Sequence, residues 1–213
     1  MLEVIDSHKQ EEIIKALLEW SLELREGVEE VCVDMWGGFA KVIQEVFPNA
    51  ELVFDRFHVM KKIIDELKNI MKRFSKSIRK LKIKYWRYLL LKNGKDLTKE
   101  EREALERILL CSKKLRKAYE LKEEFREIYE TKQSVEEAKT QFEEWMQQSS
   151  KFYSDTVKTL QNHFDGICNY FRNRTTSGVM EGINNKIKLI KRQAYGFTNF
   201  EHLQIRLLAA FSD

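Results

Sequence analysis

The sequence predicts an α/β chain that is mostly helical, and three observations carry that prediction. Two short apolar runs, Val31 to Val33 and Leu52 to Phe54, are of strand length and rich in β-branched or aromatic residues. Between them Phe39, Val42, Ile43, Val46 and Phe47 recur at helical spacing until Pro48-Asn49 stops the helix, so the stretch reads as a βαβ unit. From Phe57 the strand character ends and a helical pattern continues for roughly a hundred residues.

A βαβ crossover is right-handed and its strands are parallel, which puts Asp34 and Asp55, the residues that follow the two runs, at the carboxyl edge of one sheet. Two carboxylates at such an edge can hold a divalent metal through oxygen. The same two residues can equally be the caps of the helices that follow them.

Composition bounds the function classes. With 213 residues and 43% hydrophobic content the chain can bury a substantial core, as one domain or one domain with a large insertion. Lys and Arg total 38 against 34 Asp and Glu, so the net charge of +4 argues little for nucleic acid and the distribution of charge matters more. One proline and eight glycines point to long helices joined by short turns. Cys32, Cys111 and Cys168 form no C-x-x-C pair, and their odd number would strand one thiol in a secreted protein, so a reduced cytoplasm is expected. No apolar run approaches the roughly 20 residues of a membrane span, and no membrane partner is expected.

In chain order, Leu2 to Ile5 reads as the end of a strand, followed by a helix whose Ser7 and Gln10 have capping-box spacing. That opening suggests a sheet whose earlier strands are missing. Ile13, Ile14, Leu17, Leu18, Trp20, Leu22 and Leu24 make the apolar side of one helix ending near Gly27. After the βαβ unit, Ile63, Ile64, Leu67, Ile70, Met71, Phe74, Ile78 and Leu81 trace a stripe opposite a run of basic residues from Lys61 to Arg87. That basic side is either a phosphate-contacting face or a solvated one. Asn93-Gly94 ends the helix, and Thr98 with Glu101 and Ser134 with Glu137 begin two more with capping boxes. Trp145 reads as a core anchor rather than a base-stacking platform, and the acidic pairs Glu123-Glu124 and Glu136-Glu137 read as water-facing surface. The expected organisation is a partial core over 1–58, a helical insertion over 59–165 and completing helices over 166–213.

From Tyr170 to Arg192 the basic excess is concentrated. Arg172, Arg174, Lys186, Lys188, Lys191 and Arg192 stand against the lone acid Glu181. Ser177 is the expected N-cap of a helix running to about Ala194. On it Ile183, Ile187 and Ile190 form an apolar stripe, with Glu181, Asn184, Asn185 and Lys188 on a neighbouring side. A carboxylate beside Asn and Lys gives a metal ligand flanked by phosphate contacts, although a lone glutamate among cations is also an ordinary salt-bridge partner. Arg172, Arg174, Asn184, Lys188, Lys191 and Arg192 are the candidate DNA contacts. Asn199 starts a final helix.

The runs DMWGGF, FPNAELVFDRFHVMKK and TTSGVMEGINNKIKLIKRQAYGFTNFEH resemble, in that order, the catalytic core of the DDE transposases of the ISL3 insertion-sequence family. The resemblance covers nearly the whole chain. It implies a ribonuclease H-like core with a large all-helical insertion and a C-terminal catalytic helix. It also implies three acids binding two Mg²⁺ or Mn²⁺ ions for strand cleavage and strand transfer at transposon ends. Asp34 matches the second acid and Glu181 the third, and both are the expected metal ligands. The first acid has no match, because Asp6 reads as a turn residue.

Asp55 and His58, in DRFHVMKK, are the auxiliary candidates for the catalytic site; His58 either orients the site or touches a phosphate, or is a packed structural histidine. The expectation is therefore a transposase fragment in the bacterial cytosol or nucleoid that is inactive alone. Its expected partners are transposon-end DNA and either further copies of itself or a separately encoded N-terminal fragment. Two alternatives stay open: a non-catalytic helical DNA-binding or assembly protein derived from a transposase, and a metal-dependent phosphohydrolase acting on small molecules.

Overall fold

The computed structural model describes residues 4–35, 38–196 and 199–211. It begins with α1 (Gln10–Leu18) and α2 (Leu22–Glu26), followed by β1 (Glu30–Val33), α3 (Phe39–Val46) and β2 (Glu51–Phe54). The single first helix expected from the apolar spacing is two helices. Ser21 is the reason, because its hydroxyl accepts from Leu24 N at 3.3 Å and caps a new start. β1 and β2 pair in a two-stranded parallel sheet, so the βαβ unit is present.

The expected strand at the start of the chain is not found among the described residues. Val4 and Ile5 lie outside any strand, and the Val4 carbonyl accepts from the Gln204 amide at 3.1 Å instead of joining a ladder. Leu2 lies outside the described residues. Ser7 and Gln10 form no capping box either, since α1 is capped at Lys9 without a side-chain bond. Asp6 lies in a bend.

Two compact units divide the chain, Met1–Val53 with Thr175–Asp213, and Phe54–Arg174. In the first, α1 and α3 pack through Ile14, Val42, Val46 and Phe47, with Trp20 edge-on to Phe47 at 6.3 Å. The Arg25 guanidinium secures this arrangement by donating to the Val46 carbonyl at 3.1 Å, at the end of α3, and to the Trp20 carbonyl at 3.2 Å.

The second unit is helical throughout its described residues. It comprises α4 (Arg56–Lys80), α5 (Trp86–Leu91), a 3₁₀ turn (Gly94–Asp96), α6 (Lys99–Leu109), α7 (Lys113–Glu130), α8 (Val135–Ser149), α9 (Ser154–Asn162), α10 (Phe164–Cys168) and α11 (Tyr170–Asn173). Val59, Ile63, Leu67, Met71 and Ile78 give α4 its buried stripe, and the basic residues from Lys61 to Lys80 are exposed opposite it. Phe125 lies at the centre of an aromatic core, with ring centroids 4.6 Å from Trp145, 5.3 Å from Phe142 and 5.6 Å from Tyr129. Buried polar tips find partners there: Trp145 Nε1 donates to Leu121 O at 2.8 Å and Tyr153 Oη to Ala118 O at 2.6 Å. Both predicted capping boxes form, at Thr98 with Glu101 and at Ser134 with Glu137.

Lys122 is fully buried on α7, which helical spacing did not single out. Its ammonium donates to the carbonyls of Leu90 and Lys92 at 3.1 and 3.0 Å, satisfying the carboxyl end of α5, and it pairs with Glu123. Burial lowers its pKa. Glu123 is therefore not simply the water-facing residue expected. Its carboxylate also accepts from Gly94 N at 2.9 Å, and a Cβ at Gly94 would stand 2.8 Å from that oxygen, so a larger residue there would have to displace the Glu123 carboxylate.

The chain then returns to the first unit through α12 (Gly178–Gln193) and α13 (Phe200–Ala210). Ile190 and Leu207 are buried, and Asn199 caps α13 by accepting from His202 N at 3.3 Å. No helix among the described residues is long and apolar enough to cross a membrane.

Candidate functional site

The two aspartates that follow the strands differ. Asp55 is 2% exposed, and its carboxylate accepts from Phe57 N at 2.5 Å, making it the N-cap of α4. Asp34 is exposed and does not cap α3, whose cap is Gly38. The capping geometry thus belongs to Asp55, while Asp34 stands exposed directly after β1.

Glu181 is exposed in the first turn of α12. The helix turns its isoleucines inward, with Ile183 and Ile187 half-buried and Ile190 buried, while Asn184, Asn185, Lys188, Lys191 and Arg192 are exposed with Glu181. The segment leading into α12 is held against β1. Thr175 Oγ1 donates to the Glu30 carboxylate, and Cys32 Sγ lies 3.9 Å from the Thr175 carbonyl. β1 leads to Asp34 and Thr175 leads to Glu181, so this pair of contacts links the two acid-bearing elements. Thr175 carried no sequence signal, because a tie between residues 145 positions apart leaves no local pattern.

Ser177 precedes α12 as expected but makes no capping bond through its side chain. Lys186 is engaged within the protein, donating to the Ala210 carbonyl with its ammonium 4.4 Å from the Phe211 ring centroid. Arg174 adopts the left-handed conformation, φ 56°, and donates to the Thr131 carbonyl. Arg172 is exposed.

By unit, Asp34, Glu181, Asn184, Lys188, Lys191 and Arg192 belong to the first, and Asp55, His58, Arg172 and Arg174 to the second. His58 is half-buried, and its Nδ1 has no hydrogen-bond partner. Among the described residues no group of three or more His, Cys, Asp or Glu side chains is gathered for a metal.

With an exposed aspartate after β1 and an exposed glutamate among cations on α12, the comparisons place the chain among transposases. A transposase family model, that of the ISL3 type of DDE enzymes, matches residues 1–207, and the chain belongs to that family. It is 29% identical over 196 residues to the transposase of insertion sequence element IS1001 from Bordetella parapertussis, covering 86% of this chain and 48% of that protein. It is 29% identical over 120 residues to the transposase of IS1557 from Mycobacterium tuberculosis, covering 54% of this chain and 27% of the other. A Lactococcus lactis protein described as an ATP-dependent protease is 32% identical over 120 residues, 55% of this chain and 36% of its own length. The chain thus spans about half or less of the curated relatives it matches. No solved structure matches.

Proposed function

We propose that the chain is catalytic-core material of a transposase that cuts and joins DNA at transposon ends, with Asp34 and Glu181 as two of the three acids that hold divalent metal. The observation that carries this reading is that the two residues, 147 positions apart (181 minus 34), fall in one compact unit, both exposed, while the helical insertion between them forms a unit of its own. Both are hard oxygen donors, which fits Mg²⁺ or Mn²⁺. This donor set amounts to two carboxylates, consistent with the family pattern in which the first acid is a separate residue.

When bound, the two metal ions would neutralise charge on the transferring phosphoryl group and lower the pKa of an attacking water. The remaining work falls to the chain's own groups. Lys188, Lys191 and Arg192 hold backbone phosphates beside Glu181, and Asn184 donates to the strand, so the scissile phosphate is positioned before reaction. Asp55 acts by capping α4, not by chemistry. The protease name of the Lactococcus relative is not carried over, since the sequence has no G-x-S-x-G and no glycine-rich phosphate loop.

The test is Mn²⁺ binding followed by paramagnetic broadening of assigned resonances. Broadening should centre on Asp34 and Glu181 and disappear in Asp34→Asn and Glu181→Gln. The chain alone should leave labelled end DNA uncut, and cleavage should appear when a segment carrying the first acid is added. Cleavage by the chain alone, abolished by Asp34→Asn, would show that one of its own residues supplies the first ligand. Mn²⁺ binding unchanged in both variants would favour the non-catalytic DNA-binding reading.

A further inference from the structure

A second feature lies wholly within the helical unit, at the start of α4. Arg56, Met60 and Ile64 recur at intervals of four, with Phe57 and Lys61 beside them, and they face Arg126, Tyr129 and Glu130 near the end of α7 across a cavity of about 230 Å³. That is smaller than the roughly 300 Å³ at which drug-sized sites begin, so it encloses one ring and leaves any group attached to that ring at its opening.

Its lining has two kinds of chemistry. Met60 and Ile64 give an apolar wall, and Phe57 is 69% exposed, an aromatic face left uncovered at the opening. Arg56, Lys61 and Arg126 supply three cations. Of the two remaining lining residues, Tyr129 and Glu130, the glutamate is drawn elsewhere, accepting from Asn93 Nδ2 at 3.3 Å and pairing with Lys95 at 2.9 Å. Arg56 is braced by one donation to Tyr170 Oη at 3.3 Å, which leaves most of its five donors for a ligand.

The observation that points to a ligand is a pair of unmet hydrogen-bonding groups. Tyr129 is 2% exposed, yet its hydroxyl has no partner, and Arg126 Nε, one turn earlier on the same side of α7, is buried without one as well. Other buried side chains of this unit, Trp145, Tyr153 and Lys122 among them, do reach acceptors. Leaving a buried polar group unpaired is costly, so two such groups lining one cavity are in the condition of a site awaiting its ligand.

We propose that this cavity binds one unstacked nucleotide of a DNA strand, with its base against Phe57 and the apolar wall, its phosphate among Arg56, Lys61 and Arg126, and a polar edge of the base meeting the Tyr129 hydroxyl. An inorganic anion would leave Phe57, Met60 and Ile64 without a purpose, and an apolar ligand would leave three cations and the Tyr129 hydroxyl unanswered. A heterocycle carrying a phosphate answers both, and aromatic stacking contributes to single-strand binding whatever the base. The inference rests on the transposase reading only for the source of the nucleotide, a strand locally unpaired during end processing.

The test measures saturation-transfer NMR on the full chain with thymidine monophosphate, thymidine and inorganic phosphate, and fluorescence anisotropy with single-stranded decathymidylate. The monophosphate should bind at least about tenfold more tightly than either of its parts, and the decamer more tightly still. Phe57→Ala should weaken decamer binding by roughly 5- to 150-fold. Tyr129→Phe should weaken it by roughly 2- to 10-fold, the loss of one hydrogen bond. Because the hydroxyl is unpaired in the free protein, Tyr129→Phe should also leave the melting temperature unchanged or raise it.

Phosphate binding as tightly as the nucleotide would reduce the site to an anion pocket and overturn the proposal. So would unchanged binding in both variants. A monophosphate that binds as tightly as the decamer would assign the pocket to a free nucleotide rather than a strand. Failure here leaves Mn²⁺ binding at Asp34 and Glu181 untouched, whereas failure of the transposase reading removes that binding and leaves the pocket result standing.

Discussion

Phe125, Phe142, Leu121, Leu160 and Ile108 in the helical unit have no exposure at all, whereas in the unit bearing Asp34 and Glu181 only Val46 and Val53 reach that state among the described hydrophobic side chains. The same unit leaves Leu18, Leu22, Leu24, Val179 and Tyr195 exposed. One unit encloses an aromatic core, although it too leaves Phe57, Tyr85 and Leu110 exposed at its surface. The other is a thin α/β layer whose outward face carries the charged residues assigned to chemistry. The difference teaches that the helical unit has its own source of stability, and that the two candidate carboxylates, Asp34 and Glu181, stand exposed on the less tightly packed unit.

The largest effect that could break this comparison is a core truncation in each unit. Phe125→Ala should cost about 3–5 kcal/mol, and Val46→Ala about 2 kcal/mol, in urea unfolding followed by circular dichroism. Equal losses would mean that the two cores are equally tight.

Alkaline pH should separate the units next. Cys168, Tyr119, Tyr129 and Tyr153 all lie in the helical unit, and burial raises each pKa, that of Cys168 to about 12 from an ordinary 9.0. A raised folded pKa means stability that is fully present below pH 9 and lost as pH climbs toward 12. Each such group contributes a slope of about 1.4 kcal/mol per pH unit once its unfolded form titrates. Cys168→Ala should therefore flatten the fall of unfolding free energy between pH 9.5 and 11 by about that amount, and an unchanged slope would show that the thiol does not titrate on unfolding.

At the surface of the thinner unit, Lys188→Ala, Lys191→Ala and Arg192→Ala together should reduce the salt dependence of duplex binding by about 0.9 in log–log slope for each phosphate that is no longer neutralised. An unchanged slope would mean that these side chains meet no phosphate. The smallest effect concerns the two aspartates. Asp55→Ala should cost about 1 kcal/mol through removal of the cap, while Asp34→Asn, at an exposed position, should stay within about 0.5 kcal/mol and act on metal binding instead. Reversed values would exchange their roles.

Much of this protein is determined by sequence over short distances. The βαβ unit, the capping boxes at Thr98 and Ser134, the stripe on α4, and the inward isoleucines with outward Glu181 on α12 all follow from spacings of two to four residues, where backbone geometry alone decides what shares a face. The family, too, is legible in motifs that stay contiguous in the chain. What sequence left open was settled by contacts between residues far apart. Asp34 and Asp55 look alike until the following helices are placed, where Asp55 is the N-cap of α4 and Gly38 that of α3. Lys122 looks like any helical lysine until the end of α5 is placed over it, and Thr175 is unremarked until β1 lies beside it. The pocket at Phe57, Arg126 and Tyr129 belongs to the same class, because the spacing from Arg126 to Tyr129 is that of any buried helical face. Only the approach of α4 to α7 leaves a cavity between them, since a void and an unpaired hydroxyl are properties of packed surfaces and not of the order of residues.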